Sequence, residues 1–360
     1  VVTTDPDRAW MERALVLAER GRGRTSPNPA VGAVVVSPAG AVVGEGTTEP
    51  AGGRHAEIVA LDAAGDAAAG ATLYVTLEPC AHHGRTGPCA VRIAEAGIAR
   101  VVAAVTDPNP LVAGQGVAYL RAHGVDVTEG VGAAEARRQL APFFTWVTAK
   151  RPFVIVKAAV SADGFVGREG RRVKLTGEVA DRYFHRQRSE VDAIAVGAGT
   201  VLADNPQLTA RGEPRSRPLT RVVVDWRGRV PASARLFSTL TAGPVIMVVS
   251  RDTAAAQPDY VQALTDRGAT VDVFDTRALG PVLARLAARE IVLLLVEGGP
   301  ALQRALAGER LVDRVQWIRT PAVLGTGIPL APTGLPDPRD ARTTRLGDDE
   351  LVEFDVHWTD

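Results

Sequence analysis

"HAEIVALDAAGDAAAGATLYVTLEPCAHHGRTGPC", residues 55–89, carries a fold and a site in one stretch. Residues 55–70 read as a helix that ends near Gly70. "ATLYVTLEP" follows as a short buried strand stopped by Pro79, and a second helix opens near Cys89 and ends at Gly97. Working outward, "DRAWMERALVLAER" (7–20) places apolar residues at helical spacing. "AVGAVVVSPAGAVVGEG" (30–46) reads as a hairpin around a Pro-Ala-Gly turn, and "ARVVAAVTDPNP" (99–110) as a strand running into a turn. A hairpin followed by strand–helix alternation predicts an α/β sheet covered by helices.

Around residues 142–152 this pattern breaks. "APFFTWVTAKRPF" (141–153) sets basic residues and prolines before a new strand, "FVIVKAAV" (153–160). With 360 residues the chain exceeds what one core usually serves, so two domains are expected, 1–148 and 149–360. In the second half, "DAIAVG", "RVVVD", "PVIMVVS", "VDVF", "IVLLLVEGG" and "DRVQWIR" are strand signals. Helix signals lie around 178–190, 281–289 and 300–308. Apolar strands between helices predict a sheet buried on both faces. "LVEFDVHW" (351–358) alternates like a half-exposed, antiparallel edge strand.

Composition narrows the function. Lys+Arg and Asp+Glu balance at 41 each, so no net charge draws the chain to nucleic acid or an anionic membrane. The sequence has no apolar run long enough to span a bilayer and no secretory pattern at residues 1–10. Its two cysteines make no disulfide framework. A cytoplasmic protein is expected, where thiols stay reduced.

Both cysteines, and three of the six histidines, fall between His55 and Cys89. Thiolate and imidazole are zinc ligands, and a catalytic zinc keeps one position open. Cys80, Cys89 and His55 would make such a three-ligand set. His82 or His83 could instead add a fourth protein ligand and make the site structural. Glu57, two residues from His55, would then have no evident task. In the open arrangement it can shuttle the proton of an acidified water.

Zinc deaminases acting on nucleobases carry H-x-E followed by P-C-x-x-C. Here H-A-E and P-C are present, but eight residues separate the cysteines. That loop, with "PNPAVGAVVV" (27–36), "VTLEPCAHHGRTGPC" (75–89) and "DPNPLVAGQG" (107–116), resembles the deaminase half of the bifunctional riboflavin-biosynthesis enzymes. Gly87 stands where that family usually has a second proline. The resemblance implies a cytidine-deaminase-like α/β/α domain that hydrolyses an exocyclic amine from a pyrimidine ribosyl phosphate. It implies Glu57 as catalytic residue and His55, Cys80 and Cys89 as zinc ligands. Asn28 would meet the pyrimidine, and His82 and Arg85 would lie near substrate, Arg85 at its phosphate.

In the second half, "IVLLLVEGGPALQRALAGERLVDR" (291–314) reads as a buried strand, a glycine turn and a helix opened by Pro300, which suits a phosphate. It is not the G-x-G-x-x-G fingerprint. "KAAVSADG" (157–164), "GTVLADNPQLTAR" (199–211) and "VEGGPALQ" (296–303) resemble the reductase half of the same enzymes. That half has a dihydrofolate-reductase-like α/β fold and uses NADPH. The resemblance implies Ala159, Lys174, Thr200, Asp204, Gly298 and Gly299 at the cofactor. It implies Lys157, Arg172, Arg188, Leu208, Arg211 and Glu297 at the substrate, with Lys157 and Glu297 beside the ribose and Arg188 and Arg211 at its phosphate. Many family members carry Ser-Gln-Trp where this chain has Arg172, Val173 and Lys174. These basic residues could meet phosphates.

The resemblance therefore implies zinc-dependent deamination of 2,5-diamino-6-ribosylamino-4(3H)-pyrimidinone 5′-phosphate, then NADPH-dependent reduction of the ribosyl group to ribityl. It also suggests a homo-oligomer, dimer or tetramer. Three rival readings are a deaminase with a decayed or repurposed reductase half, a nucleic-acid deaminase, and a non-catalytic nucleotide sensor. The eight-residue spacing, the neutral charge and the lack of aromatic–basic interleaving oppose the second. The intact H-A-E and cysteines oppose the third.

Overall fold

The structure is a computed structural model that describes residues 6–81, 87–109, 112–171, 173–330, 335, 338 and 340–357. The chain divides into two compact units, Val1–Lys150 and Arg151–Asp360.

The first unit runs α1 (Pro6–Arg20), β1 (Gly32–Val36), β2 (Val42–Thr47), α2 (Ala56–Ala64), β3 (Thr72–Val75), α3 (Cys89–Glu95), β4 (Arg100–Ala103), α4 (Gln115–Ala122), β5 (Asp126–Glu129) and α5 (Ala133–Ala149). Its sheet order is β2-β1-β3-β4-β5. β1 pairs antiparallel with β2 and β3, while β3, β4 and β5 are parallel. β1 is buried along its whole length because helices cover both faces of the sheet. Glycines in β2 let α2 come close. A Cβ on Gly46 would stand 2.1 Å from Ala56 O, at the start of α2. That close approach fixes where the N-terminus of α2, with His55 and Glu57, sits against the sheet.

α5 continues through Pro142 to Ala149, although the sequence pattern breaks there. Its apolar face, with Ala136, Leu140 and Val147 buried, outweighs the proline.

The second unit contains β6 (Phe153–Val160), β7 (Phe165–Gly167), α6 (Glu178–Glu190), β8 (Ala193–Gly197), α7 (Ala198–Asp204), β9 (Thr220–Val224) and β10 (Val245–Ser250). It continues with α8 (Arg251–Ala256), α9 (Pro258–Asp266), β11 (Thr270–Phe274), α10 (Leu279–Ala287), β12 (Leu293–Glu297) and α11 (Pro300–Gly308). It ends with β13 (Arg314–Arg319), β14 (Ile328–Pro329), β15 (Arg342–Leu346) and β16 (Asp349–Asp355). Nine strands form one sheet in the order β11-β10-β9-β8-β12-β6-β13-β16-β15. It is parallel from β11 to β13 and antiparallel from β13 to β15.

The C-terminal strand expected at an edge is β16, and it lies between β13 and β15. β15, "RTTRL", carries no apolar alternation that would announce it and is the true edge. The exposed Arg342 and Arg345 suit that position, since charge protects an open edge. The chain runs β8, β9, β10, β11 outward to the other edge and returns with β12 between β8 and β6. Such a return opens a crevice at the C-terminal ends of the parallel strands.

Candidate metal site and nucleotide cleft

His55 is the extended residue that caps α2. Cys80 follows the loop after β3, and Cys89 is the first residue of α3. Helix starts place partial positive charge beside a thiolate. His55 Nδ1 lies 3.2 Å from Cys89 Sγ and 3.7 Å from Cys80 Sγ. All three ligand atoms fall within 4.8 Å of one another. Zinc bonds of ordinary length at tetrahedral angles hold such atoms about 3.5–3.8 Å apart, so the two separations from His55 match a zinc site to within a few tenths of an ångström. The backbone supports it: Cys89 N–H donates to Cys80 Sγ at 3.4 Å and Ala90 N–H to Cys80 O at 3.0 Å. The hydrogen bond between the two cysteines pulls the Cys80 thiol below its usual range and, with burial, pushes Cys89 above it, so one thiolate forms readily and a metal would deprotonate the second.

Glu57 points inward from the first turn of α2 and is 4% exposed. Burial pushes its carboxyl up to about 7, against the pull of the nearby His55. A carboxyl with that environment can both take and give a proton.

Asn28 is half-buried in the loop before β1, with its N–H on Thr25 O at 3.0 Å. His82, His83 and Arg85 lie outside the described residues.

Glu78, not singled out in the sequence, is buried and accepts four backbone N–H groups, from Asp107, Gly114, Gly116 and Val117, at 3.0–3.2 Å. It ties the "DPNPLVAGQG" loop to the strand end that carries Cys80. The close seat of that loop needs glycine: a Cβ on Gly116 would meet Pro79 O at 1.8 Å.

In the second unit a cleft of about 810 Å³ opens at the ends of β6, β12, β8 and β9. Of the residues expected at the cofactor, Ala159, Thr200, Asp204, Gly298 and Gly299 line it. Of those expected at the substrate, Lys157, Arg188, Leu208 and Glu297 do so. Lys174 and Arg211 are not among the lining residues. Lys174 pairs with Asp181 at 3.0 Å and is 62% exposed. Arg211 packs on His185, with its N–H 3.3 Å from Nδ1. Arg172 lies outside the described residues.

Gly298 and Gly299 both have positive φ, 92° and 80°, and lead into α11 with Pro300 at its start. Their free N–H groups and the helix N-terminus suit a phosphate, and the size of the cleft suits a dinucleotide. Thr200 Oγ1 lies 3.3–3.4 Å from where a Cβ on either glycine would sit, so the turn is closely walled.

Glu297 ends β12 and is paired in register with Lys157 on β6. Arg188, from α6, grips it with both forks, Nε to Oε1 at 2.7 Å and Nη2 to Oε2 at 2.5 Å. Burial alone would raise the Glu297 carboxyl. The Arg188 charge and hydrogen bonds outweigh this and bring it down to about 2. Burial pushes the Lys157 ammonium down, and its Nζ rests 4.5 Å over the Phe184 ring.

Residues 152–355 match the RibD C-terminal domain family, and residues 4–105 match the cytidine and deoxycytidylate deaminase zinc-binding region. The riboflavin biosynthesis protein RibD of Aquifex aeolicus is 38% identical over 355 residues, covering 97% of this chain and 98% of that protein. The chain belongs to the RibD family. RibD of Escherichia coli is 36% identical over 335 residues, 89% of each chain. Among solved structures, Acinetobacter baumannii RibD has a TM-score of 0.85 at 33% identity, covering 98% of this chain and 99% of that one. A Thermotoga maritima diaminohydroxyphosphoribosylaminopyrimidine deaminase/5-amino-6-(5-phosphoribosylamino)uracil reductase also reaches 0.85, at 34% identity with the same coverage. RibD membership makes this a riboflavin-biosynthesis enzyme with a zinc-binding deaminase domain and a reductase domain. The two-domain α/β class expected from the sequence stands. Among the described residues no helix is long and apolar enough to cross a membrane.

Proposed function

We propose that this chain deaminates 2,5-diamino-6-ribosylamino-4(3H)-pyrimidinone 5′-phosphate in its first domain, residues 1–148. The second domain, 149–360, reduces the ribosyl group of the product to ribityl with NADPH. The observation that carries the reading is a complete donor trio with its buried carboxylate in one unit, and a glycine-walled cleft around Glu297 in the other. His55, Cys80 and Cys89 would hold a zinc ion, which would acidify a water at its open position. Glu57 collects the proton of the attacking water and delivers it to the leaving nitrogen, so ammonia departs and a carbonyl remains. Asn28 orients the pyrimidine, His82 binds the substrate and Arg85 binds its phosphate.

In the second domain NADPH, when bound, would supply the hydride that C1′ of the opened ribose requires. Thr200, Asp204, Ala159 and the Gly298–Gly299 turn hold the cofactor. Lys157 and Glu297 flank the sugar, with Arg188 fixing the Glu297 carboxylate. Leu208 and Arg188 line the substrate end of the cleft, while the roles of Arg211, Arg172 and Lys174 rest on the family resemblance alone. A reduced compartment, the cytoplasm, suits the thiolate ligands, and the enzyme works as a homo-oligomer on a free small molecule.

A coupled assay tests both halves. Purified protein receives the diaminopyrimidinone substrate, with ammonia release and NADPH oxidation followed separately. Both signals are expected, ammonia first. Ammonia without NADPH oxidation would give the reductase half to another role, and neither signal would end the reading.

A further inference from the structure

One row of polar side chains crosses the second sheet beneath α6. Glu297 on β12 stands in register with Lys157 on β6, Lys157 with Gln316 on β13, and Gln316 with Glu353 on β16. Partners in register point to the same face of a sheet, so all four lie on one side. Glu297 and Gln316 are buried there, and Lys157 and Glu353 are half-buried.

α6 meets this row with three side chains. Arg188 grips Glu297, Phe184 lies over Lys157, and Gln187 donates from Nε2 to Gln316 Oε1 at 2.9 Å. Phe184 is three residues from Gln187 and four from Arg188, so the two polar contacts flank the ring on one face of the helix. Held by Arg188 alone, the helix would roll about a single contact. Held on both sides of Phe184, it is fixed in its turn about its own axis.

Glu353 sets the direction of the amide contact, because a carboxylate only accepts. Gln316 turns its Nε2 to Glu353 Oε2, at 2.6 Å, and its Oε1 to the helix. Gln187 then donates, and its own Oε1 is left buried without a hydrogen-bond partner among the described residues. Two buried amides and an unmet acceptor cost stability that an apolar pair would not. What they supply is direction, since a polar network specifies one arrangement where apolar contacts tolerate several.

Lys157 is the group that a turn of α6 would affect. Its ammonium has no hydrogen-bond partner among the described residues, and the Phe184 ring centre stands 4.5 Å from it. The ring face favours the charged form, while burial pushes the ammonium down. Of the charges that face it, Glu297 on β12 and Asp181 on α6 favour the ammonium and Arg188 on α6 opposes it.

We propose that Gln316, oriented by Glu353, is a positioning residue of the reductase: through Gln187 it fixes the turn of α6 and so keeps the Phe184 ring on the Lys157 ammonium. The proposal rests on the reading above in placing Lys157 beside the sugar.

The chain has three lysines, Lys150, Lys157 and Lys174, so labelling lysine Cε with ¹³C gives three signals, assigned with Lys150→Arg and Lys174→Arg. Their titration in the zinc-loaded full chain tests the contact without cofactor or substrate. Lys157 is expected to titrate below the ordinary lysine range. Gln316→Leu should lower its midpoint by about a further 0.5 to 1 pH unit. Gln187→Leu breaks the same contact from the helix side and should lower it as much. Val315→Ala opens a cavity on the opposite face of β13, and should lower the melting temperature with the midpoint unmoved. A midpoint unmoved in Gln187→Leu, or moved as far in Val315→Ala, overturns the proposal even where Gln316→Leu fails to fold. The pH profile of NADPH oxidation with the deaminated substrate should move to lower pH together with the signal. A signal that moves while the profile does not takes the row out of the reaction and also overturns the proposal. A wild type that oxidises no NADPH ends the reductase reading, and with it the role, even where the signal moves as expected.

Discussion

Around His55 three donor atoms crowd within 4.8 Å and one buried carboxyl lies beside them. Around Glu297 the polar groups are strung along the ends of four strands, from Lys157 on β6 to the loop after β9. The first site depends on bond lengths to a small ion, so a single wrong atom removes it. The second depends on many weak contacts along an extended ligand, so most single losses are partial. The ion pair of Arg188 with Glu297 is its exception, because Glu297 is buried and Arg188 is largely so.

The sharpest break in this comparison is Glu57→Gln. The amide keeps the shape but cannot accept the proton of water. Ammonia release should fall by about 10²- to 10⁴-fold. Zinc content by atomic absorption should be unchanged, and reduction of the deaminated intermediate with NADPH should proceed at the wild-type rate. Near wild-type deamination would remove Glu57 from proton transfer.

The difference also explains what the sequence could say. His55, Glu57, Cys80 and Cys89 were legible because few residue types bind zinc and their spacing is constrained. The strands with strong apolar runs, β6, β8 to β10 and β12, were legible for the same kind of reason, since burial on both faces leaves a plain signal. Polar β5 and β15 were not, because their partners in the sheet, rather than their own pattern, make them strands. Glu78 went unnoticed since its four N–H donors lie 29 to 39 residues away. Gln316 and Glu353 had no local mark. Only the strand order brings them into one row with Lys157.

The next largest effect tests whether the second site has a rigid element. Glu297→Gln leaves Arg188 buried without its counter-charge, which costs about 3–5 kcal/mol. Hydrogen exchange in β12 and α6 should accelerate accordingly. The pH dependence gives the sign. Glu297 sits at about 2 in the folded chain against an ordinary 4.5, so the pair's contribution is complete above about 4.5. It is lost as pH falls toward 2. The gap between wild type and Glu297→Gln should therefore be constant from pH 7 to 5 and close below that. A gap unchanged at pH 2.5 would mean that the carboxylate is not held by Arg188.

A smaller effect is expected at Glu78→Gln. One carbonyl oxygen and an NH₂ group cannot serve four N–H donors, and the unsatisfied groups cost about 1–3 kcal/mol. Exchange at Gly114, Gly116 and Val117 should quicken. Zinc affinity should weaken less than deamination, because Glu78 holds the loop next to the ligands and is not one of them. Equal losses of both would show that the trio itself depends on this clamp.

The smallest effect concerns Lys174, where sequence and geometry pull apart. The resemblance puts Lys174 at the cofactor, as a basic replacement in the stretch where many family members carry Ser-Gln-Trp. In the structure its ammonium pairs with Asp181, a carboxylate that also accepts from Thr176 Oγ1 at 2.5 Å. Asp181 therefore keeps a partner when Lys174 is lost, and an exposed ion pair contributes little. Lys174→Ala should shift the Michaelis constants for NADPH and for the deaminated substrate by less than about fivefold. Raising salt should change the wild type by no more than the variant, since little attraction remains to be screened. A tenfold rise in either constant, suppressed at high salt, would instead mean that Lys174 leaves Asp181 and turns to a phosphate when ligand binds. The extended site would then close on its ligand by exchanging one ion pair for another, which the compact zinc site has no means to do.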